Sequence, residues 1–127
     1  MYGNNAFNVY KNNSVNYASK EQLLLMLVDG AVKFAKIARE GLEEKNISKS
    51  HENLIKVQDI FTELMVSLDQ SSGEWAKEIY KVYEFIKTRL FEINLKKDAN
   101  MMDELMPVIE GIRDTWHEAY ETSKKFR

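Results

Sequence analysis

Apolar residues recur at spacings of three and four along most of the chain, the period of an α-helix that buries one face. From residue 19 onward, four such stretches follow one another. The first is predicted over about 19–45. Ser19-Lys20-Glu21-Gln22 opens it as a capping box, in which the Ser19 hydroxyl accepts from the Gln22 amide and the Gln22 side chain reaches back to Ser19. Its inward stripe reads Leu23, Leu27, Gly30, Phe34, Ile37 and Gly41, with Asp29, Lys33, Lys36 and Glu40 on the wet face. A glycine inside a helix costs about 1 kcal/mol relative to alanine. Two on one stripe imply that another backbone, or a bound segment, comes close.

The second helix, over about 48–70, starts from a cap at Asn46 or Ser48 and carries Leu54, Val57, Phe61, Leu64 and Leu68. Asp69 to Gly73 reads as a turn, and Ser71 with Glu74 as a second capping box. The third helix, over 74–96, places Ala76, Ile79, Tyr83, Ile86, Leu90 and Ile93 at heptad spacing. Lys96 and Lys97 suit its negative C-terminal end. Asp98 caps the fourth, over 99–122, with Met102, Leu105, Ile109, Ile112, Trp116 and Ala119 inward. Pro107 lies inside that helix and removes the amide that would bond to the Asp103 carbonyl, so a kink is predicted. Helices of about 20–26 residues are about 30–39 Å long. Their connections are short, which sets neighbours side by side and antiparallel. The predicted fold is all-α: an antiparallel up-down-up-down four-helix bundle, followed by a flexible tail at 123–127.

Residues 1–18 break the pattern. They hold six Asn, one charge (Lys11) and the rings of Tyr2, Phe7, Tyr10 and Tyr17. Asparagine favours turns and extended backbone, and the aromatics are too many for an inert tail. An extended N-terminal arm that docks its rings on something is expected.

Composition narrows the function. The 127 residues suit one domain, 44% of them apolar and 30% charged. A formal net charge of −2 gives no global field for nucleic acid or an anionic membrane. There is no cysteine, hence no disulfide, thiolate metal site or cysteine nucleophile. The longest apolar run, Leu23 to Val28, is far short of a membrane span. No basic-then-apolar secretory signal opens the chain, so the cytoplasm is the expected compartment. A di-iron bundle needs paired Glu-x-x-His motifs. Of the two histidines, His117 has only Asp114 and His51 only Ser48 at that offset. Neither phosphate loops nor nucleophile elbows occur, and no catalytic residue, metal or cofactor is expected.

What remains is a surplus of apolar residues beyond one narrow stripe per helix: Leu24, Leu25, Val28 and Val32, then Ile55, Ile60 and Met65, then Tyr80, Val82, Phe85 and Phe91. A wide core-facing stripe accounts for most of them. The rest are read as walls of grooves that take the apolar face of a partner helix, covered by the aromatic arm until the partner arrives.

Ser14-Val15 with Ala18-Ser19, Met26-Leu27-Val28-Asp29-Gly30-Ala31, Tyr83-Glu84-Phe85-Ile86, Arg89-Leu90, Asn94, Asp98, Asp103-Glu104 and Arg113-Asp114-Thr115-Trp116 stand in an ordered series over four helices. In this the chain resembles the flagellar secretion chaperone family FliS, from about Tyr10 to Trp116. The resemblance implies a cytoplasmic chaperone that holds the disordered C-terminal segment of flagellin, blocks premature polymerisation and keeps the subunit competent for type III export. It further implies a one-to-one complex, an arm that covers part of the flagellin surface, and docking of Phe7 and Tyr10 at the export gate. The residues expected to meet the partner are Tyr10, Val15 and Tyr17 in the arm and Leu24, Val28, Ile60, Tyr83, Phe85 and Phe91 on the bundle. Arg89 and Asn94 are expected to bond its backbone. The sequence departs from the family pattern at Val28, where an aromatic is common, at Lys20, where proline usually follows the capping serine, and at Pro107 and Gly111. The alternatives are a helical adaptor or dimerisation module for another client, and a metal-dependent bundle.

Overall fold

The computed structural model describes residues 19–125, and they form a bundle of four helices. Helix α1 (Lys20–Glu43) begins with both arms of the capping box in place: the Gln22 amide donates to Ser19 Oγ at 3.2 Å and the Ser19 amide to Gln22 Oε1 at 3.0 Å. Helix α2 (Ile47–Ser67) is capped by Asn46, whose side chain accepts from the Lys49 amide at 3.0 Å. Helix α4 (Ala99–Lys124) is capped by Asp98, which accepts from the amides of Asn100 and Met101. It runs as a single element through Pro107, which lies on its exposed side.

Helix α3 (Glu74–Lys96) starts differently from the expectation. The Ser71 amide and hydroxyl both donate to Asp69, which caps a short 3₁₀ turn at Gln70–Ser72. The helix begins instead from Gly73, at φ 142°, without a side-chain cap. A charged carboxylate two residues back is a stronger acceptor for Ser71 than the helix is a donor to it, so no Ser71–Glu74 box forms.

Four cross-connections fix the direction of the helices. Arg39, late in α1, is paired with Asp103, early in α4, and His117, late in α4, with Asp29, early in α1. Asn94, at the end of α3, donates to His51, at the start of α2. At the α1–α2 turn, a Cβ built on Gly41 would stand 2.6 Å from the Ser50 amide nitrogen. The topology is therefore antiparallel, up-down-up-down. The backbone approach expected along the α1 stripe occurs at Gly41 alone, since a Cβ on Gly30 meets only the tip of Ile60 at 3.5 Å.

The core carries Leu54, Val57, Phe61 and Leu64 from α2, Tyr83, Ile86, Leu90 and Ile93 from α3, and Met102, Leu105, Ile109 and Ile112 from α4, all as predicted. The α1 stripe is corrected. Its buried face is Leu27, Val28, Ala31, Val32, Ala35, Ala38 and Leu42, while Leu23, Phe34 and Ile37 lie half-buried on its flanks. This helix packs against both α2 and α4, and it does so through small side chains that let backbones come close. A stripe chosen by bulk is rotated away from that face.

Candidate functional site

At the end of the bundle where α1 begins, the helices do not close over the core. Leu23, Leu24 and Leu27 of α1, Leu64 and Leu68 of α2 and its following turn, Tyr83 of α3 and Trp116 of α4 line an open groove of about 530 Å³. Ser19, Lys20, Glu21, Glu63, Ser67 and Asp69 add the polar groups along it. Among the described residues, Leu23, Leu24, Leu68 and Trp116 at the ends of α1, α2 and α4 meet no further layer to pack on and stay half-buried. An apolar recess with a few polar groups is the usual form of a binding site.

Aromatic contacts hold its floor. Trp116 donates its indole N–H to the Tyr83 hydroxyl at 2.8 Å, a bond between α4 and α3. Tyr83 meets the edge of Phe61 at 5.9 Å between centroids, and the half-exposed Trp75 meets Trp116 at 6.2 Å. Such edge-to-face pairs fix ring orientation as well as burying area. Burial pushes the Tyr83 hydroxyl up to about 12, so it stays protonated in any ordinary buffer. Ser71 holds the Asp69 carboxyl below the usual range, so that side chain stays anionic.

A shallower groove of about 390 Å³ lies between α2 and α3, lined by Gln58, Met65, Glu84, Lys87, Thr88 and Phe91. The Gln58 amide nitrogen is buried there without a hydrogen-bond partner among the described residues. Burial raises the neighbouring Asp59 carboxyl above its ordinary value, opposed by the Lys87 charge.

The predicted bundle residues fall into three groups. Leu24 lines the first groove, Phe91 lines the second, and Phe85 stands exposed beneath the Arg89 guanidinium at 5.8 Å. Val28 and Ile60 are a correction: at 1% and 3% exposure they belong to the core and form no outer wall. The α1 face is wide enough to take in Val28, and Ile60 fills the space beside Gly30. Tyr83 is also core, at 1% exposure, yet it forms the groove floor. The third group already has partners within the chain. Asn94 is engaged by His51 and Lys97, and Arg89 by Glu92 at 3.5 Å. Phe7, Tyr10, Val15 and Tyr17 lie outside the described residues. The groove members absent from the prediction are Leu23, Leu27, Leu64, Leu68 and Trp116. By spacing each is a core stripe position, and the available signal is that, in an antiparallel bundle, these stripe ends gather at one place.

The family model described as "Flagellar protein FliS" matches residues 3–123. The flagellar secretion chaperone FliS of Bacillus subtilis (strain 168) is 33% identical over 123 residues, covering 97% of this chain and 92% of the relative. The flagellar secretion chaperone FliS of Salmonella typhimurium (strain LT2) is 33% identical over 105 residues, covering 81% and 78%. This chain belongs to the FliS family. The FliS family is a chaperone family and not an enzyme family. A crystal structure of a flagellar chaperone from bacteria superposes with a TM-score of 0.73 at 17% identity, covering 93% of this chain and 97% of the other, and it shares the fold. Among the described residues of this FliS-family chain, no group of three or more His, Asp or Glu could hold a metal ion, and no helix is long and apolar enough to cross a membrane.

Proposed function

We propose that this chain is a cytoplasmic export chaperone that binds the disordered C-terminal segment of flagellin, one to one, blocks its premature polymerisation and hands it to the export gate of the flagellar secretion apparatus. The observation that carries this reading is the family match over residues 3–123. The open apolar groove beside the start of α1 supports it, since a chaperone for an amphipathic segment needs an exposed apolar surface that is already formed.

Energetics suit a carrier that works without ATP. Burying apolar area contributes about 25 cal/mol per Å², and ordering a disordered segment costs about 2–5 kcal/mol or more. A large contact area offset by that penalty gives binding that is strong and still reversible. Leu24, Tyr83, Phe85 and Phe91 supply apolar contact, and Arg89 borders it. Residues 1–18 lead into Ser19, which itself lines the groove. Phe7, Tyr10, Val15 and Tyr17 cover the apolar surface until flagellin displaces them, and Phe7 and Tyr10 then serve docking at the gate.

Mixing the purified chain with full-length flagellin, followed by light scattering on a sizing column, tests this. A one-to-one complex is expected, and it is lost when the last helical segment of flagellin is removed. No association at micromolar concentrations would overturn the reading.

A further inference from the structure

Helix α3 starts from a residue that cannot cap it with a side chain. Gly73 lies at φ 142° and ψ 179°, a conformation nearly confined to glycine. It offers no side-chain acceptor to the first amides of the helix, as Ser, Asp or Asn at that place would. Backbone strain and the Trp75 ring together exclude those residues. A Cβ at position 73 would stand 3.1 Å from Trp75 Cδ1 and 3.2 Å from its Nε1. The pyrrole edge of the indole therefore takes the space of a side chain at 73, and the glycine serves as its seat.

Trp75 is 52% exposed, so burial alone does not account for where its ring lies. The ring meets Trp116 edge-on, at 6.2 Å between centroids and 74° between planes. Trp116 lines the open groove, whereas Trp75 does not. Trp116 is thus oriented by two contacts: its N–H donates to the Tyr83 hydroxyl at 2.8 Å, and its ring meets that of Trp75. One hydrogen bond at Nε1 leaves the indole free to tilt about that bond, and an edge-to-face ring contact restricts the tilt.

We infer that Trp75, seated on Gly73, is a positioning residue: it holds Trp116 in the orientation that keeps the groove formed before the client arrives. The inference rests on the flagellin reading above and names the device that preforms its site. Where only a fraction of molecules holds the competent orientation, apparent affinity falls by that fraction. The loss of one edge-to-face pair sets the size of the effect at about two- to tenfold.

Two experiments on the full chain test this. The chain has two tryptophans, so Trp75→Ala leaves Trp116 as the source of the one indole N–H signal in a nitrogen-15 spectrum. Without any client, that signal is expected to broaden or split in Trp75→Ala, and to stay single and sharp in Trp75→Phe, which keeps a ring edge. A Trp116 signal as sharp in Trp75→Ala as in wild type would overturn the inference. Calorimetric titration with a synthetic peptide copying flagellin's C-terminal segment gives the second readout. Trp75→Ala is expected to bind about two- to tenfold more weakly, with Trp75→Phe close to wild type. In a Trp116→Leu background, Trp75→Ala is expected to cost nothing further, because its effect runs through Trp116. The same loss in both backgrounds would mean that Trp75 touches the client itself, and that result would also overturn the inference. So would equal affinity of wild type and Trp75→Ala, the outcome for a residue that serves only the stability of α3, since all variants are titrated well below their unfolding midpoints. Failure of wild type to bind the peptide would overturn the flagellin reading, while the Trp116 signal decides the positioning role with no client present.

Discussion

The two ends of the bundle are built from the same four helices and differ in how they finish. At the end holding the α1–α2 turn, Gly41 lets the Ser50 backbone come to within contact of α1, and Ala35 and Ala38 are fully buried beside it. Arg39 bridges to Asp103 at 2.7 Å and also pairs with Glu43, Lys49 reaches Glu44 at 2.9 Å, and Asn94 joins α3 to α2 through His51 at 3.0 Å. Small residues and polar cross-ties close that end. At the other end α1 starts with Leu23 and Leu24, α2 finishes with Leu68, and large side chains hold the helices apart around a recess. Cross-ties there include Trp116 to Tyr83 and His117 to Asp29 at 2.7 Å. One end is closely packed, and the other leaves an apolar recess among the described residues.

The largest expected effect follows from deleting packing near the closed end. Leu54 is fully buried, so Leu54→Ala is expected to cost about 2–5 kcal/mol in urea unfolding. Leu24 is half-buried at the open end, and Leu24→Ala is expected to cost about 1 kcal/mol of stability or less while weakening flagellin binding. Equal stability losses at the two sites would remove the distinction between the ends.

Glycine substitutions sharpen the same contrast within helices. Gly41→Ala places a Cβ 2.6 Å from the Ser50 nitrogen. Overpacking of about 1–3 kcal/mol is expected to exceed the helical preference of alanine, for a net loss in urea unfolding. Gly111→Ala in α4 meets nothing within 4 Å, so the same change there is expected to stabilise by up to about 1 kcal/mol.

The smallest effect is electrostatic. The Arg39 guanidinium holds the exposed Asp103 carboxyl below the usual carboxylate range. A carboxyl with a depressed folded-state pKa adds stability above its unfolded value and loses it as pH falls through the folded value. The stability difference between wild type and Asp103→Asn is therefore expected to be present at neutral pH and to vanish under acid conditions, below the ordinary Asp value of about 4. Unfolding midpoints measured from pH 7 downward, in low salt, check it.

Much of the bundle was legible because its signals are local. Period, caps at Ser19, Asn46 and Asp98, and the short turns all lie within a few residues of what they control. The misses concern relations between helices. Periodicity tells which residues share a face, but how much of that face a neighbour covers depends on two neighbours at once. Spacing alone therefore puts Val28 and Ile60 on outer walls and draws the α1 stripe through Phe34 and Ile37 instead of Ala31, Ala35 and Ala38. The Ser71 box failed to a nearer acceptor in Asp69. Nothing in the spacing of Tyr83 and Trp116, 33 residues apart, announces their hydrogen bond. Surplus apolar residues pointed to grooves on the outer faces of the bundle, whereas the groove at the α1 start is lined by stripe ends that converge there, with Leu24 alone from the surplus.

Amide hydrogen exchange, with and without a peptide copying flagellin's C-terminal segment, tests the division between the ends most directly. The expected result is protection on binding over residues 20–28 and 61–68, around the open groove, with exchange near the Gly41–Ser50 contact unchanged. Protection confined to the closed end, or none at saturating peptide, would contradict it.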